Sequence, residues 1–416
     1  MANRLGRGTN SVNLRQYNER SLLQRLRIAG EASKADLARW AQLTNTAAGS
    51  IVQALEEAGL IESFGRRQDG GRGQPAGLYR LNPKGAFGIG VRLDRTSIET
   101  VLVDLGGKIL ARLAHDMLLP HPDKALEIVR RDVAGVLAVL GGSDRNRLTG
   151  VGLAQPYNLG SWLRELGLQS DSDDFHTWDE LDFGAMLSDA VQLPVFKEND
   201  GNAAAIAELF FGVGRQANDF LYLFLGPAIG GGVVIQGEGL RGSSGNGADV
   251  AMMPVPASKL ASAPITGKPW DILLSRASLS SLTRHLRHHG LQINGRADLE
   301  TAFERGVPAA REWLDDCVDA LVPAVRAAIA VLDVPHCVID ADIDGGLIAQ
   351  LMQRVDAGLR EIAPESRDTP ALMRGSFGAD AGAIGAASLP MFFNFSPRAG
   401  VLRGESPRKS LEAFNV

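Results

Sequence analysis

The first 85 residues change from helical to strand periodicity in a definite order. SLLQRLRI (21–28), with apolar residues at 22, 23, 26 and 28, fits one helix. SKADLARWA follows, with Ser33 three positions ahead of Asp36. That is the spacing of a capping box, in which hydroxyl and acid satisfy free N–H groups reciprocally. After a break at Gln42-Leu43, Thr44 is placed to cap a third helix. Its Ala48, Ile51, Val52 and Leu55 fall at i, i+3, i+4 and i+7, a single buried stripe. Gly59 stops that helix, with Leu60 set to cover its last turn. Three short helices with a tight break between the second and third predict a helix-turn-helix. The third helix then offers Asn45, Thr46, Ser50 and Gln53 to base edges, with Thr44 at its start. LIESFGRRQDGGRGQPAGLYRLN reads as two strands around a Gly- and Arg-rich tip. Such a wing would bring Arg66, Arg67 and Arg72 to phosphates or the minor groove. Gly49 sits inside the recognition helix, where it costs about 1 kcal/mol against Ala. A close approach of the DNA backbone would explain it.

From Phe87 the pattern becomes α/β. GIGVRLDRTSIETVLVDLGGKILARL predicts two strands joined by a turn and then a third. A helix near 125–140 and a strand at LTGVGLAQP follow. After a polar insertion, DSDDFHTWDELD, the strand LPVFKEND runs into an alanine-rich helix. FLYLFLG and GGVVIQG make a second hairpin around PAIGG. A long helical region over roughly 275–330 comes next, then a strand at HCVIDAD and a last helix after FGADAGAIGAA. A hairpin followed by a helix thus occurs twice, which predicts two lobes with a cleft between them.

Composition narrows the class without naming a function. With 416 residues, 45% apolar and 22% charged, the chain reads as a soluble protein of two or three domains. No apolar run approaches the roughly 18 residues of a membrane span. MANRLGRGTNSVNLRQ has no apolar signal core, and a cytoplasmic location is expected. The two cysteines, Cys317 and Cys337, form no CxxC and read as small buried residues in a reducing compartment. The net charge of −5 is uneven. Residues 1–85 carry about 13 Lys/Arg against about 7 Asp/Glu, so a basic first fifth precedes an acidic body. That asymmetry suits a DNA-binding module joined to a ligand-binding domain.

GRGQPAGLYRLNP, VFKENDGNAAAIAELFFGVG, LGPAIGGGVVIQGEGLRG and FGADAGAIGAA occur in this order across nearly the whole chain. Together they resemble the transcriptional regulators of the ROK (repressor, open reading frame, kinase) family. The resemblance implies an α/β architecture in which an N-terminal winged helix-turn-helix precedes a two-lobed actin/hexokinase-like (ribonuclease H-like) domain. The expected divisions are 1–85 for the DNA module and 86–200 for the first lobe, completed by about 385–416. The second lobe is expected over 201–384.

The same resemblance locates the parts a kinase would need. A D-x-G-G-T phosphate turn would fall on Arg92-Leu93-Asp94-Arg95-Thr96, where side chains replace both glycines. A second turn, G-T-G-I-G-G-G, becomes Gly226-Pro227-Ala228-Ile229-Gly230-Gly231-Gly232, which loses an N–H at the proline and a hydroxyl at the alanine. The family's sugar-binding pair matches Asn199 and Asp200, the latter being the base in kinases. At the start of a helix the Asp200 carboxylate can accept from a sugar hydroxyl or cap backbone N–H groups. The G-E-I-G-H motif matches Ala248-Asp249-Val250-Ala251-Met252, and the family's cysteine loop matches the cysteine-free SAPITGKPWDILLS. Without thiolates or that histidine the family's structural zinc has no ligands, and local packing is expected to replace it. His285, His288 and His289 have a spacing that could hold a metal, but they also suit a helix C-terminus. Arg92 and Arg95 could attract an anion, or form surface salt bridges.

The expected function is therefore a sequence-specific transcriptional regulator, a repressor of sugar-metabolism genes, with no catalytic residue, cofactor or metal. Its expected partners are a double-stranded operator, a sugar or sugar derivative in the interlobe cleft, and further copies of itself as a homodimer or homotetramer, with no membrane. Asn199, Asp200, Asp249, Asp271 and Trp178 are the expected sugar-binding residues. Two alternatives stand beside this reading: an active ATP-dependent sugar kinase with a DNA-binding appendage, and a sugar-insensitive repressor controlled by a protein partner.

Overall fold

Capping and burial shape the N-terminal module as the periodicity predicts. In the computed structural model, which describes residues 10–67, 76–161, 172–343 and 346–405, three helices come first. They are α1 (Ser11–Ala29), α2 (Lys34–Trp40) and α3 (Asn45–Glu57). Ser33 and Asp36 form the capping box at α2, with the Ser33 hydroxyl accepting from the Asp36 N–H at 3.2 Å. Thr44 caps α3 by accepting from the Ala47 N–H at 3.2 Å.

Both helices close with the same motif. After α2 the Leu43 N–H donates to the Ala38 carbonyl (2.9 Å) and Gln42 to Arg39 (3.3 Å). After α3, Leu60 donates to Leu55 (3.0 Å) and Gly59 to Glu56 (2.9 Å). The pivot of such a stop needs a left-handed backbone. Glycine supplies it at Gly59 (φ 71°), whereas Gln42 (φ 56°) adopts it against side-chain sterics. Strands β1 (Glu31–Ser33), β2 (Ile61–Arg67) and β3 (Ala76–Leu81) form the wing sheet in the order β1-β3-β2. Leu22, Leu26, Leu37, Ile51, Val52, Leu55, Ile61 and Tyr79 close the module's core.

By its internal packing the chain divides into two compact units. One comprises Met1–Asn199, Gly214–Gln216 and Ala383–Val416; the other comprises Asp200–Val213 and Ala217–Gly382. In the first, β4 (Phe87–Asp94), β5 (Ser97–Asp104), β6 (Ile109–Asp116), β7 (Leu148–Gln155) and β8 (Val195–Asn199) form a sheet ordered β6-β5-β4-β7-β8. Its hairpin side is antiparallel and its crossover side, β4-β7-β8, is parallel. Ile89, Val91, Val151 and Leu153 pack with Val129 and Val133 of the helix Pro122–Leu137 in one core. Glycines supply the backbone contact elsewhere in the sheet. A Cβ at Gly88 or Gly90 would run into the backbone of Ala387, and one at Gly152 into the carbonyl of Ala386. The alanine-rich helix Ala381–Phe395 can therefore lie directly on these strands.

The second unit repeats the scheme. β9 (Phe220–Leu225), β10 (Ile229–Ile235), β11 (Glu238–Gly239), β14 (His336–Ala341) and β15 (Ala371–Arg374) are ordered β11-β10-β9-β14-β15, again antiparallel on the hairpin side and parallel on the other. A separate two-stranded piece, β12 (Pro254–Pro256) with β13 (Trp270–Ile272), stands outside that sheet.

The structure refines several sequence expectations. The single helical region over 275–330 is four helices: Leu273–Ala277, Leu279–His288, Arg296–Glu304 and Pro308–Leu332. The polar insertion contains a helix, Ser172–Glu180, that buries Phe175 and Trp178. Helices Phe183–Val191 and Gly346–Glu361 have no counterpart in the sequence reading. Among the described residues no helix is long and apolar enough to cross a membrane.

Candidate functional site

The residues expected to meet nucleic acid lie on the outer face of α3. Asn45, Thr46, Ser50 and Gln53 are all exposed there, opposite the buried Ala48, Ile51, Val52 and Leu55. The side-chain amide of Gln53 donates to Glu57 at 2.9 Å. The Thr44 hydroxyl is engaged as the cap of α3, so its first duty is to the helix. Gly49 lies among these residues, and a Cβ built on it would meet nothing within 4 Å. Among the described residues, no packing therefore requires a glycine at that position. Arg66 is exposed on β2 opposite Gly77, and Arg67 pairs with Ala76 in the same ladder. Arg72, expected at the wing tip, lies outside the described residues.

Contacts of α1 and of the module's core fasten the module to its own unit. Arg20 on α1 donates to the carbonyls of Phe393 (3.2 Å) and Ser396 (3.4 Å), at the end of the helix Ala381–Phe395. Phe395 packs against the module's core. Asn82, directly after β3, holds the stop of α3, its amide donating to the Gly59 carbonyl at 2.8 Å.

Two carboxylates expected at the effector site are carried by elements resting on one strand. β8 ends at Asn199, and Asp200 opens the next helix (Asp200–Phe210), its Oδ1 accepting from the Gly201 N–H at 2.9 Å. That helix approaches β10 at backbone contact, since a Cβ at Gly201 would run into the carbonyl of Gly231. The turn bearing Asp249 packs on the same residue: a Cβ at Gly231 would stand 2.9 Å from the Ala248 carbonyl oxygen and 2.8 Å from the Val250 methyls. Ala248 takes a left-handed φ of 62° to make that turn. Asp249 is exposed and accepts from the Asn246 side-chain amide at 3.0 Å. Exposed or half-buried carboxylates of this kind accept hydrogen bonds from hydroxyl groups without any further chemistry.

Two other expected effector residues are used elsewhere. Trp178 is only 4% exposed; its ring lies against Phe183 and its indole N–H donates to the Pro120 carbonyl at 3.0 Å. It is a core residue, because the helix carrying it turns its aromatic side inward. Asp271 is likewise 4% exposed and accepts from the Ser258 N–H at 2.8 Å, which fastens the segment after β12 to β13.

The turns where a kinase would hold phosphates are filled by the chain itself. At the β4–β5 turn the Asp94 carboxylate accepts from the Arg95 N–H (2.7 Å), the Arg95 side chain (3.2 Å) and Arg92 (2.9 Å). The two guanidiniums hold its pKa below the usual carboxylate value against the opposing effect of burial. Arg92 and Arg95 thus form salt bridges, and an anionic group occupies the turn. At the β9–β10 turn the Gly226 N–H donates to Ala228 (2.9 Å) and Pro227 has none. The carbonyls of Gly226 and Pro227 accept from the Leu279 N–H (2.8 Å) and the Ser280 hydroxyl (2.6 Å).

The zinc that the family resemblance implies does not fit its expected place. Met252 stands where the histidine would be, 53% exposed, and residues 257–269 carry no thiol or imidazole. Hydrogen bonds hold that segment instead. The Ser258 hydroxyl donates to Asp316 (2.8 Å), and the Ser262 carbonyl accepts from Arg284 (2.9 Å). Ser262 Oγ lies 2.8 Å from His285 Nδ1. Arg276, buried, bridges the Pro256 carbonyl, Asp316 and Asp319. Burial and the neighbouring His289 lower the His285 pKa, which favours the neutral ring.

One cluster escaped the sequence reading. Glu208 accepts from the Ser376 hydroxyl (2.9 Å) and the Val213 N–H (3.1 Å), and Asp340 accepts from the Gly378 N–H on both oxygens (3.0 Å each). These two buried acids secure residues 376–378, which lead into the helix Ala381–Phe395. The signal available was an acid inside the apolar strand HCVIDA and another inside AAIAELFF.

The ROK family profile matches residues 88–391. A glucokinase of Thermotoga maritima is 32% identical over 72% of this chain and 96% of its own length. A xylose repressor of Bacillus spizizenii is 25% identical over 58% of this chain and 61% of its own. Among solved structures, a ROK family transcriptional regulator described as a homologue of the E. coli MLC protein aligns with a TM-score of 0.67. It covers 94% of this chain and 100% of its own, at 21% identity, a likeness of fold.

Proposed function

The chain belongs to the ROK family, and from that premise we propose that it is a DNA-binding transcriptional repressor of sugar-metabolism genes. In this reading α3 enters the major groove and reads bases through Asn45, Thr46, Ser50 and Gln53, while Arg66, Arg67 and Arg72 of the wing meet the backbone. A homodimer or homotetramer spans two half-sites. A sugar or sugar derivative, hydrogen-bonded by Asn199, Asp200 and Asp249, shifts the chain between a form that fits its operator and one that does not. The ligand must prefer one form by a few kcal/mol to do so.

The observation that carries this proposal is the capped recognition helix with an exposed polar face, set on a body whose phosphate turns are occupied by Asp94, Arg95 and Pro227. Asp200 is then a hydroxyl acceptor rather than a base that activates a nucleophile. A genome-wide binding map tests the proposal. It should give discrete sites beside sugar-utilisation genes, and calorimetry with the sugars those genes handle should give binding that Asp200→Asn weakens. Binding scattered without sequence preference would sink it.

The identity to a glucokinase favours a second reading, an active sugar kinase carrying a DNA module. ATP-dependent phosphorylation of a sugar, abolished by Asp200→Asn, would put that reading in place of the first.

A further inference from the structure

Helix Leu279–His288 and the long helix Pro308–Leu332 bring three metal-ligating side chains together. His285 and His289 are one helical turn apart, with His289 at the C-terminal cap, and Glu312 stands in the first turns of the long helix. His285 Nε2 lies 3.3 Å from Glu312 Oε2, and His289 Nε2 lies 3.5 Å from the same oxygen. One donor atom from each of the three lies within 4.8 Å of the others. Zinc ligands stand about 2.0–2.2 Å from the ion, so neighbouring donors in a tetrahedron are roughly 3.3–3.6 Å apart. Two of the three edges already have that length.

The surroundings suit a metal as well as the distances do. His285 is buried, and its Nδ1 is 2.8 Å from Ser262 Oγ, which orients the ring so that Nε2 faces Glu312. An outer partner on the second ring nitrogen is the usual companion of a metal-bound imidazole. The flanking cations point away: Arg284 donates to the carbonyls of Ser262 and Ser275, and Arg287 to that of Ile293. His289 and Glu312 are about half exposed, leaving solvent access for a fourth ligand. Two imidazoles and one carboxylate match zinc and its first-row neighbours better than magnesium or calcium.

We propose that His285, His289 and Glu312 form a binding site for a divalent transition metal of the zinc class, with water as the fourth ligand. It is built from residues other than those at the family's zinc position, around Met252 and residues 257–269. Bound metal would join the two helices and stiffen the attachment of Ser262. The sugar and DNA assignments above are not needed for it.

The test uses tag-free, full-length protein stripped with a chelator and checked by elemental analysis, then titrated with Co(II) and with Zn(II). The expected result is one equivalent per chain, visible Co(II) d–d bands displaced by Zn(II), and a higher melting temperature with metal. His289→Ala and Glu312→Gln, both at exposed positions, should each weaken binding by roughly a hundredfold or more. Ser262→Ala should weaken it by about ten- to a hundredfold. His288→Ala should leave it unchanged. Sub-stoichiometric binding by the wild type, or equal binding by His289→Ala and Glu312→Gln, would overturn the site.

Discussion

The guanidinium of Arg20, on the first helix of the N-terminal module, donates to the carbonyl of Phe393 at 3.2 Å, and the guanidinium of Arg398 donates to the same oxygen, also at 3.2 Å. Two cations therefore converge on one backbone acceptor where the last long helix ends. Burial, with Arg398 adding to it, lowers the Arg20 pKa to about 10, which still leaves it charged at neutral pH. Arg20→Ala removes one of the two donors and leaves the carbonyl satisfied by Arg398. The expected loss is about 1–2 kcal/mol of stability, read by urea unfolding. Under the proposed function the same variant should also reduce the effect of ligand on operator affinity more than it reduces affinity itself.

The glycine inside α3 gives a prediction with opposite signs. Gly49→Ala places a methyl group in open space, so helix propensity alone should raise stability by up to about 1 kcal/mol. If α3 lies in the groove, the added methyl meets DNA and operator affinity falls. Thermal unfolding and fluorescence anisotropy on the same preparation read the two effects. Tighter operator binding by the alanine variant would remove α3 from the interface.

Arg276 is the cation around which the zinc-free region is built, 2% exposed and bonded to Asp316, Asp319 and the Pro256 carbonyl. Arg276→Met leaves the buried Asp316 carboxylate without its cationic partner, the Ser258 hydroxyl still donating to it. A loss of about 3–5 kcal/mol is expected in denaturant titration. A loss under 1 kcal/mol would mean that the network does not hold the segment after β12.

Glu208 and Asp340 should make stability pH-dependent in a definite direction. Burial raises both pKa values, outweighing the hydrogen bonds that each carboxylate accepts. A carboxyl group whose folded pKa is raised contributes stability fully below its unfolded value, near pH 4, and loses it as pH rises through the folded value. Asp340→Asn removes one of these titrations. The stability of the variant relative to wild type should therefore improve as pH is raised from about 4 towards neutrality. Unfolding curves at several pH values check this, and a difference that stays constant or moves the other way would refute the assignment.

The local code of the N-terminal module was legible because its determinants lie within a few residues of one another. Ser33 finds Asp36, Thr44 finds Ala47, and Leu60 closes on Leu55, all within one helical turn or one stop motif. The two hairpins were legible for the same reason. Trp178 and Asp271 were not, because whether an indole or a carboxylate faces solvent depends on which other element covers it, here those carrying Pro120 and Ser258.

By itself the sequence determined the capped helices, the α/β class and the substitutions at the phosphate turns, since each rests on short-range sterics and hydrogen bonding. Only the tertiary structure decided where the glycines of β4, β7 and β10 let helices lie on sheets, which acids are buried, and that Glu312 meets His285 across 27 residues of chain. Those outcomes depend on burial and on contacts between distant segments, and neither is written in the spacing of residues along one element.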